Sequence, residues 1–154
     1  MMRYSILLFS CILFLSCNEQ EQEAPQSTRI NIAKIDFPET GIALVGNAQK
    51  TAAEWEEYNA FKVALENYDH SPAATQRLAK LVEDMRANVA KDFDNQFIRS
   101  RMLVLETRLK RYASFLEYQN KTEAQYKSYY GDIIQALDQL NGQLNAKDYY
   151  DQLE

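Results

Sequence analysis

The most regular feature of the sequence is the spacing of large apolar residues in two stretches of its second half. Steps of four and three residues alternate without interruption, through Ile98, Met102, Leu105, Leu109, Tyr112 and Leu116, and again through Tyr126, Tyr130, Ile133, Leu137, Leu140 and Leu144. An average step of about 3.5 residues places side chains along one side of an α-helix, and it is typical of helices that pack in a left-handed sense. The pattern predicts two long helices whose apolar stripes are covered by other helices.

Two shorter helices are predicted upstream of that pair. Large apolar residues share one helical face between about Lys50 and Tyr68, at Trp55, Tyr58, Phe61, Leu65 and Tyr68. The next helix is expected to begin after Ser71, a suitable N-cap, with Pro72 in its first turn, where an amide hydrogen is not needed. It is expected to continue to about Lys91, with a buried face formed by Leu78, Leu81, Met85 and Val89.

Short polar stretches separate the predicted helices. Asp92–Asn95 supplies a turn and a cap before the third helix, and Gln119–Lys121 lies between the third and the fourth. Four helices of similar length with short connections close around one core as a bundle. The fold class predicted for residues 49–154 is therefore all-α, an antiparallel four-helix bundle with coiled-coil-like seams.

The connection between helices three and four leaves two alternatives. Thr122 and Gln125 have the spacing of a capping box, which favours a new helix start and a helical hairpin. The alternative is one uninterrupted helix from about Asn95 to Ala146, because the apolar register continues across the connection. That helix would be about 75 Å long at about 1.5 Å per residue, and its uncovered part would require a second copy of the chain. The uninterrupted helix therefore predicts a homo-oligomer, and the hairpin predicts a monomer.

Residues 29–48 follow a different pattern. Apolar residues at near-alternate positions, namely Ile30, Ile32, Ile35 and Phe37, are followed by Pro38 and Gly41. Alternation predicts an extended segment with one buried face, but no other stretch of the chain offers a strand to pair with it. We expect a strap that lies in a groove between helices.

The first 28 residues are not expected to belong to the bundle. Arg3 is followed by an apolar run from Tyr4 to Leu15 and by the small residue Ser16, which is the order of a secretory signal peptide. The run is shorter than the roughly 20 residues that a membrane-spanning helix needs. Residues 17–28 contain three Glu, one Pro and no large apolar side chain, which predicts a flexible acidic tether.

The stretch Phe14–Cys17 resembles the lipobox of bacterial lipoprotein precursors. The resemblance implies that the Cys17 thiol carries a lipid and that residues 1–16 are removed as a signal peptide. By the same resemblance, Asn18 in place of Asp favours the outer membrane within the cell envelope, on its periplasmic face or at the cell surface. The alternatives are lipidation at Cys11, which would leave a shorter apolar run, an ordinary signal peptide, or an uncleaved anchor.

The chain is acidic, with 22 Asp and Glu against 17 Lys and Arg and a net charge of −5. Removal of residues 1–16, in which Arg3 is the only charged residue, makes the net charge −6. Such a balance argues against binding to nucleic acid. Positive charge is nevertheless concentrated on helix three, at Arg99, Arg101, Arg108, Lys110 and Arg111, whereas helix one carries Glu54, Glu56, Glu57 and Glu66. We expect these two helices to be neighbours whose charges pair.

Few residues are suited to catalysis. His70 is the single histidine, no cysteine follows Cys17, and the sequence has no glycine-rich phosphate-binding loop. A di-iron bundle would need a second histidine, and a hydrolytic triad would need a serine on a glycine-flanked turn. We therefore expect no enzyme, no cofactor and no metal site.

Tyrosine is concentrated near the C-terminal end of the chain. Four tyrosines fall outside the apolar stripes and are suited to a contact patch of the kind enriched in interfaces: Tyr118, Tyr129, Tyr149 and Tyr150. The candidate partner-binding residues are these four together with the basic residues of helix three, Arg99, Arg101, Arg108 and Arg111.

The body after residue 28 resembles the short helical lipoproteins labelled viral A-type inclusion protein-like, through the coiled-coil pattern of Arg101–Leu116. That label reflects the coiled-coil pattern, and the resemblance implies neither a viral role nor a particular activity. The predicted function is a lipid-anchored helical envelope protein that acts as a scaffold or protein-interaction module, with the membrane and an unidentified protein as its partners. The alternative is a ligand-binding accessory lipoprotein with a pocket between its helices.

Overall fold

The computed structural model describes the backbone of residues 30–151 and the side chains of residues 30–146. The predicted signal peptide, Cys17 and the tether lie outside the described residues, and so do the side chains of Tyr149 and Tyr150. Within the described part the protein is helical and contains no β-strand, which confirms the all-α class.

Five α-helices follow one another in the described part of the chain. They are α1 (Gly46–Ala53), α2 (Glu56–Glu66), α3 (Pro72–Ala87), α4 (Gln96–Leu116) and α5 (Glu123–Asp151). Single 3₁₀ turns lie at Ile32–Lys34 and Lys91–Phe93. Across residues 30–151, every helix is too short or too polar to span a membrane.

The predicted helix starts are confirmed by their caps. The Ser71 side chain accepts a hydrogen bond from the Ala74 amide, and Pro72 occupies the first turn of α3. The Asn95 side chain accepts from the amides of Phe97 and Ile98 at the start of α4. These bonds satisfy amides that have no partner within the helix.

The connection between α4 and α5 is interrupted. The Gln125 amide donates to Thr122 Oγ1 at 3.2 Å, and the Thr122 amide donates to Gln125 Oε1 at 2.8 Å, which together form the predicted capping box. Since α4 ends at Leu116 and α5 begins at Glu123, the uninterrupted helix is not formed. A homo-oligomer was predicted only from that uninterrupted helix.

The prediction of one helix from Lys50 to Tyr68 is wrong, because Trp55 divides it. Trp55 has an extended backbone, is 3% exposed, and donates from its indole Nε1 to the Asn88 carbonyl oxygen at 2.8 Å. A buried indole needs such a partner, and the chain leaves the helix to reach it. The first piece, α1, begins early, at Gly46, whose φ of +58° suits a residue without a Cβ.

The core is formed by the predicted apolar stripes. All twelve stripe residues of α4 and α5 are buried. Helix α4 packs against α3 and α5, α3 packs against α2, and α1 contacts both α2 and α5. Each helix therefore contacts the next in a closed series, from α4 through α3, α2 and α1 to α5 and back to α4. The apolar faces of the helices meet in one cluster.

Residues 30–45 precede α1 and form no α-helix. Ile35 is buried in the core, and Phe37 packs against the rings of His70 and Tyr130. Further along, the backbone of residues 41–45 is bonded to side chains of α5. We call residues 30–45 the strap, because they cross the helices and are held by them.

Leu105→Ala is expected to reduce the free energy of unfolding by about 2 to 5 kcal/mol, because it opens a cavity in the fully buried stripe of α4. Leu103→Ala on the same helix, where Leu103 is 49% exposed, is the matched control. The control should change stability by no more than about 0.5 kcal/mol in urea denaturation followed by circular dichroism. Equal losses in the two variants would contradict the assigned faces of α4.

Candidate functional site

The surface where α4 meets α5 carries a cluster of aromatic side chains, of which Tyr118 is exposed, Tyr129 is half-buried and Phe115 is buried. Tyr129 of α5 stacks on Phe115 of α4 with 4.4 Å between ring centroids. Tyr118, 63% exposed, meets the edge of the same Phe115 ring at 6.4 Å. The Arg111 guanidinium carbon lies 4.7 Å from the centroid of the Tyr129 ring, within cation–π range. Phe115 thus contacts two of the tyrosines predicted to bind a partner, and Arg111 extends this aromatic patch along α4.

Three predicted arginines continue this surface along α4. Arg111 Nη1 lies 3.1 Å from Asp132 Oδ2, and Arg108 Nη1 lies 3.6 Å from the same oxygen. Arg101 Nη1 donates to Gln139 Oε1 at 3.1 Å. Two guanidinium groups therefore share one carboxylate and the third bonds a neutral amide, which leaves positive charge on this surface of an acidic protein. We call Arg101, Arg108, Arg111, Tyr118 and Tyr129 the arginine–tyrosine face.

Arg99 lies apart from that face. Its Nε donates to Asp94 Oδ1 at 2.6 Å, and its Nη1 donates to the Arg86 carbonyl oxygen at 2.7 Å. The side chain thereby ties the start of α4 to the end of α3. The bond to Asp94 also lowers the carboxyl pKa of Asp94. Arg99 is best explained by this local role.

The predicted pairing between helix three and the glutamates of helix one is wrong. The nearest neighbours of α4 are α3 and α5, and its cations bond to acids on α5, on α4 itself and in the turn before α4. The nearly buried carboxylate of Glu106 bonds Arg86 at 3.1 Å and Lys110 at 2.5 Å. Burial raises the pKa of Glu106, but the bonds from Lys110 and Arg86 outweigh that effect and lower it.

A second candidate site lies beneath the strap. A cleft of about 370 Å³ is bounded by strap residues 40–44, by α1 and α2, and by α5. Its wall is apolar at Leu44, Ala52, Phe61, Leu65 and Leu137, and polar at Tyr58, Lys62 and Asn141. A pocket between helices was the alternative prediction from the sequence. The sequence did not predict that the strap forms one wall of that pocket.

Asp138 on α5 fixes the start of this wall. One of its carboxylate oxygens accepts from Thr40 Oγ1 at 2.6 Å and from the amides of Gly41 and Ile42 at 3.0 Å each. Burial raises the carboxyl pKa of Asp138, but these hydrogen bonds outweigh it and lower the pKa. The carboxylate therefore remains ionised while it holds the strap.

Two asparagines further along α5 hold the end of the strap. Asn141 Nδ2 donates to the Ile42 carbonyl oxygen at 2.8 Å. Asn145 Nδ2 donates to the Ala43 carbonyl oxygen at 2.9 Å, and its Oδ1 accepts from the Val45 amide at 3.1 Å. Because side chains three and four residues apart share a helix face, Asp138, Asn141 and Asn145 form one polar stripe on α5.

The single histidine lies in an aromatic cluster between the strap and the helices. The His70 ring stacks on Phe37 at 3.7 Å and lies 4.5 to 4.6 Å from the rings of Tyr68 and Tyr130. Its Nδ1 is 3.3 Å from the Tyr112 hydroxyl oxygen. Burial lowers the pKa of His70 from 6.5 to about 4, with partial opposition from Asp69. The ring is therefore neutral at pH 7 and serves to pack Phe37 of the strap.

No group of three or more side chains suited to a metal ion occurs within residues 30–146. No protein-family model, curated protein or solved structure matches this chain.

The pH dependence of stability is expected to report on His70. A histidine whose pKa is lowered by folding binds its proton more readily in the unfolded chain, so stability falls as the pH drops from about 6.5 to about 4. His70→Asn removes this titration, and asparagine tolerates the backbone φ of +57° at this position. The free energy of unfolding of the wild type should therefore decline more steeply than that of the variant between pH 7 and pH 4.5. If the unfolding free energies of the wild type and the variant, measured by chemical denaturation, changed in parallel with pH, folding would not lower the pKa of His70.

Proposed function

We propose that this protein is a lipid-anchored helical protein of the bacterial cell envelope that binds a protein partner through its arginine–tyrosine face. The observation that carries the partner-binding proposal is the convergence of Arg101, Arg108, Arg111, Tyr118 and Tyr129 on one surface. The helix-three arginines and the tyrosines are separate features of the sequence, yet Arg111 and Tyr129 lie within cation–π range of each other. The proposal involves no catalytic step.

The anchoring part of the proposal rests on the sequence. A lipidated Cys17 would be joined to Ile30 through the twelve residues 18–29, a span of at most about 45 Å when fully extended. The helical body would then remain close to the membrane, and Asn18 favours the outer membrane by resemblance to Gram-negative lipoproteins. Confinement near a membrane raises the effective concentration of a partner held in the same envelope.

We also propose that the helices form an antiparallel four-helix bundle in which α1 and α2 together make one bent arm. Contacts between α4 and α5 support this arrangement, since Arg111 is paired with Asp132 and the earlier Arg101 is bonded to the later Gln139. Such a bundle would present four of the five residues of the arginine–tyrosine face on two rigid helices, with Tyr118 just beyond the end of α4.

The chemistry of the face favours an acidic partner surface. Tyrosine and arginine are enriched among residues that contribute most to protein–protein binding, because both combine apolar area with directed polar groups. The pairs with Asp132 are partly exposed, and such pairs contribute only about 0 to 1 kcal/mol each. A carboxylate of a partner therefore has little to displace when it bonds Arg108 or Arg111.

The proposal is tested by placing a photo-crosslinking amino acid at Tyr118 in cells that express the complete chain, with the same amino acid at Val63 as the control. Val63 is similarly exposed but lies on α2. We expect one discrete protein adduct at Tyr118 that is absent at Val63, identified by mass spectrometry.

Arg101→Gln combined with Arg111→Gln should then reduce the Tyr118 adduct by about tenfold or more, as expected when anchor residues of an interface are truncated. Arg77→Gln on α3 is the matched charge control and should leave the yield unchanged. Circular dichroism should show equal helix content in all variants. Equal adducts at Tyr118 and Val63, or an equal loss in Arg77→Gln, would refute the assigned surface.

A further inference from the structure

The cleft beneath the strap has an amphipathic lining. Its floor is formed by Ala52, Phe61 and Leu137, all of which are nearly buried. Its rim carries Lys62, whose side chain is 62% exposed and which is the only charged residue among those that line the cleft. Apolar surface therefore lies inside, and a single positive charge stands at the entrance.

The volume and the polar groups fit a small ligand. A space of about 370 Å³ lies near the lower end of the range, roughly 300 to 1,000 Å³, found for small-molecule sites in proteins. The Tyr58 hydroxyl donates to Asn141 Oδ1 at 3.3 Å, and Asn141 donates to the strap, so these two groups are already bonded to each other and to the wall. The Lys62 ammonium is held only loosely, since it lies 4.0 Å from Glu66 Oε1 on the same exposed helix face.

We propose that this cleft binds a small amphiphile with one apolar chain and one anionic head, of the class of medium-chain carboxylates. The chain would lie against Phe61, Leu65 and Leu137, where it removes apolar surface from water. The carboxylate would lie at the rim and bond the Lys62 ammonium. A neutral amphiphile of equal length would have the same apolar contacts but would lack the bond to Lys62.

The strap is the wall that defines this site. Ile42 and Leu44 face the cleft, and the polar stripe of α5 fixes the backbone between them. The site therefore requires the folded strap and lies on the opposite flank of α5 from Asp132 and the arginine–tyrosine face. Binding in the cleft and binding of a partner can be tested separately.

Trp55 gives the site a natural reporter. It is the single tryptophan of the chain, and its ring stacks with Tyr58 at 5.8 Å between centroids. Because Tyr58 lines the cleft, a ligand that contacts Tyr58 is expected to change the emission of Trp55. We expect decanoate, added below its micelle concentration to protein purified after expression of the complete chain, to give a saturable change that fits one site.

Two variants distinguish the contribution of the ligand's carboxylate from that of its apolar chain. Lys62→Gln should weaken decanoate binding by about fivefold and leave decanol binding unchanged, because only the carboxylate bonds the ammonium. Lys127→Gln is the matched control, since Lys127 forms a similar exposed pair with Glu123 on α5. Ala53→Phe, which places a ring at the entrance from an exposed position at the end of α1, should abolish binding of both ligands.

Methyl NMR of the wild type provides a measurement that does not depend on any variant. Decanoate should shift the methyl signals of Ile42, Leu65 and Leu137 and leave those of Leu103 and Val63 unchanged. The proposal is overturned if Trp55 emission shows no saturable change, if Lys62→Gln weakens decanoate and decanol equally, or if the shifted methyl groups lie outside the cleft.

Discussion

The packing of α5 against α4 is the contact on which the rest of the structure depends. Each helix contributes a stripe of six buried apolar residues, and burial of such side chains is the dominant favourable term in folding. With one face of α5 fixed in this way, its two flanks are also fixed. One flank places Tyr129 and Asp132 beside α4, and the other presents Asp138, Asn141 and Asn145 to the strap.

One flank of α5 binds the strap, which has no regular secondary structure over residues 40–45. Asp138 bonds Thr40, Gly41 and Ile42, so backbone amides that have no helical partner are satisfied by a side chain. Phe37 adds an apolar contact, because its ring stacks on the ring of His70. The strap therefore closes one side of the cleft as a wall with defined bonds.

Much of the fold was predictable because its signals are local. The stripes of α4 and α5 and the caps at Ser71, Asn95 and Thr122 depend on residues within a few positions of each other. The break at Trp55 was not predictable, since it is caused by a bond to Asn88, 33 residues away. The strap contacts join residues about 100 positions apart, and nothing in residues 40–45 identifies Asp138 as their partner. The predicted pairing of the helix-three arginines with the glutamates of helix one was wrong for the same reason, because tertiary packing decides which helices are neighbours.

For the candidate site, the tyrosines and arginines could be identified from composition and helical phase, whereas the cleft could be identified only from the structure.

The proposed function depends on a lipid on Cys17 that would hold this helical body at the cell envelope, close to the molecules on which its surfaces would act. The most direct measurement is metabolic labelling of cells with palmitate, followed by isolation of the protein from cells that express the wild type, Cys17→Ser or Cys11→Ser. We expect label on the wild type and on Cys11→Ser, a mature N-terminus at Cys17 in both, and no label on Cys17→Ser. Label that persists in Cys17→Ser, or an unlabelled wild type that retains its first sixteen residues, would contradict it.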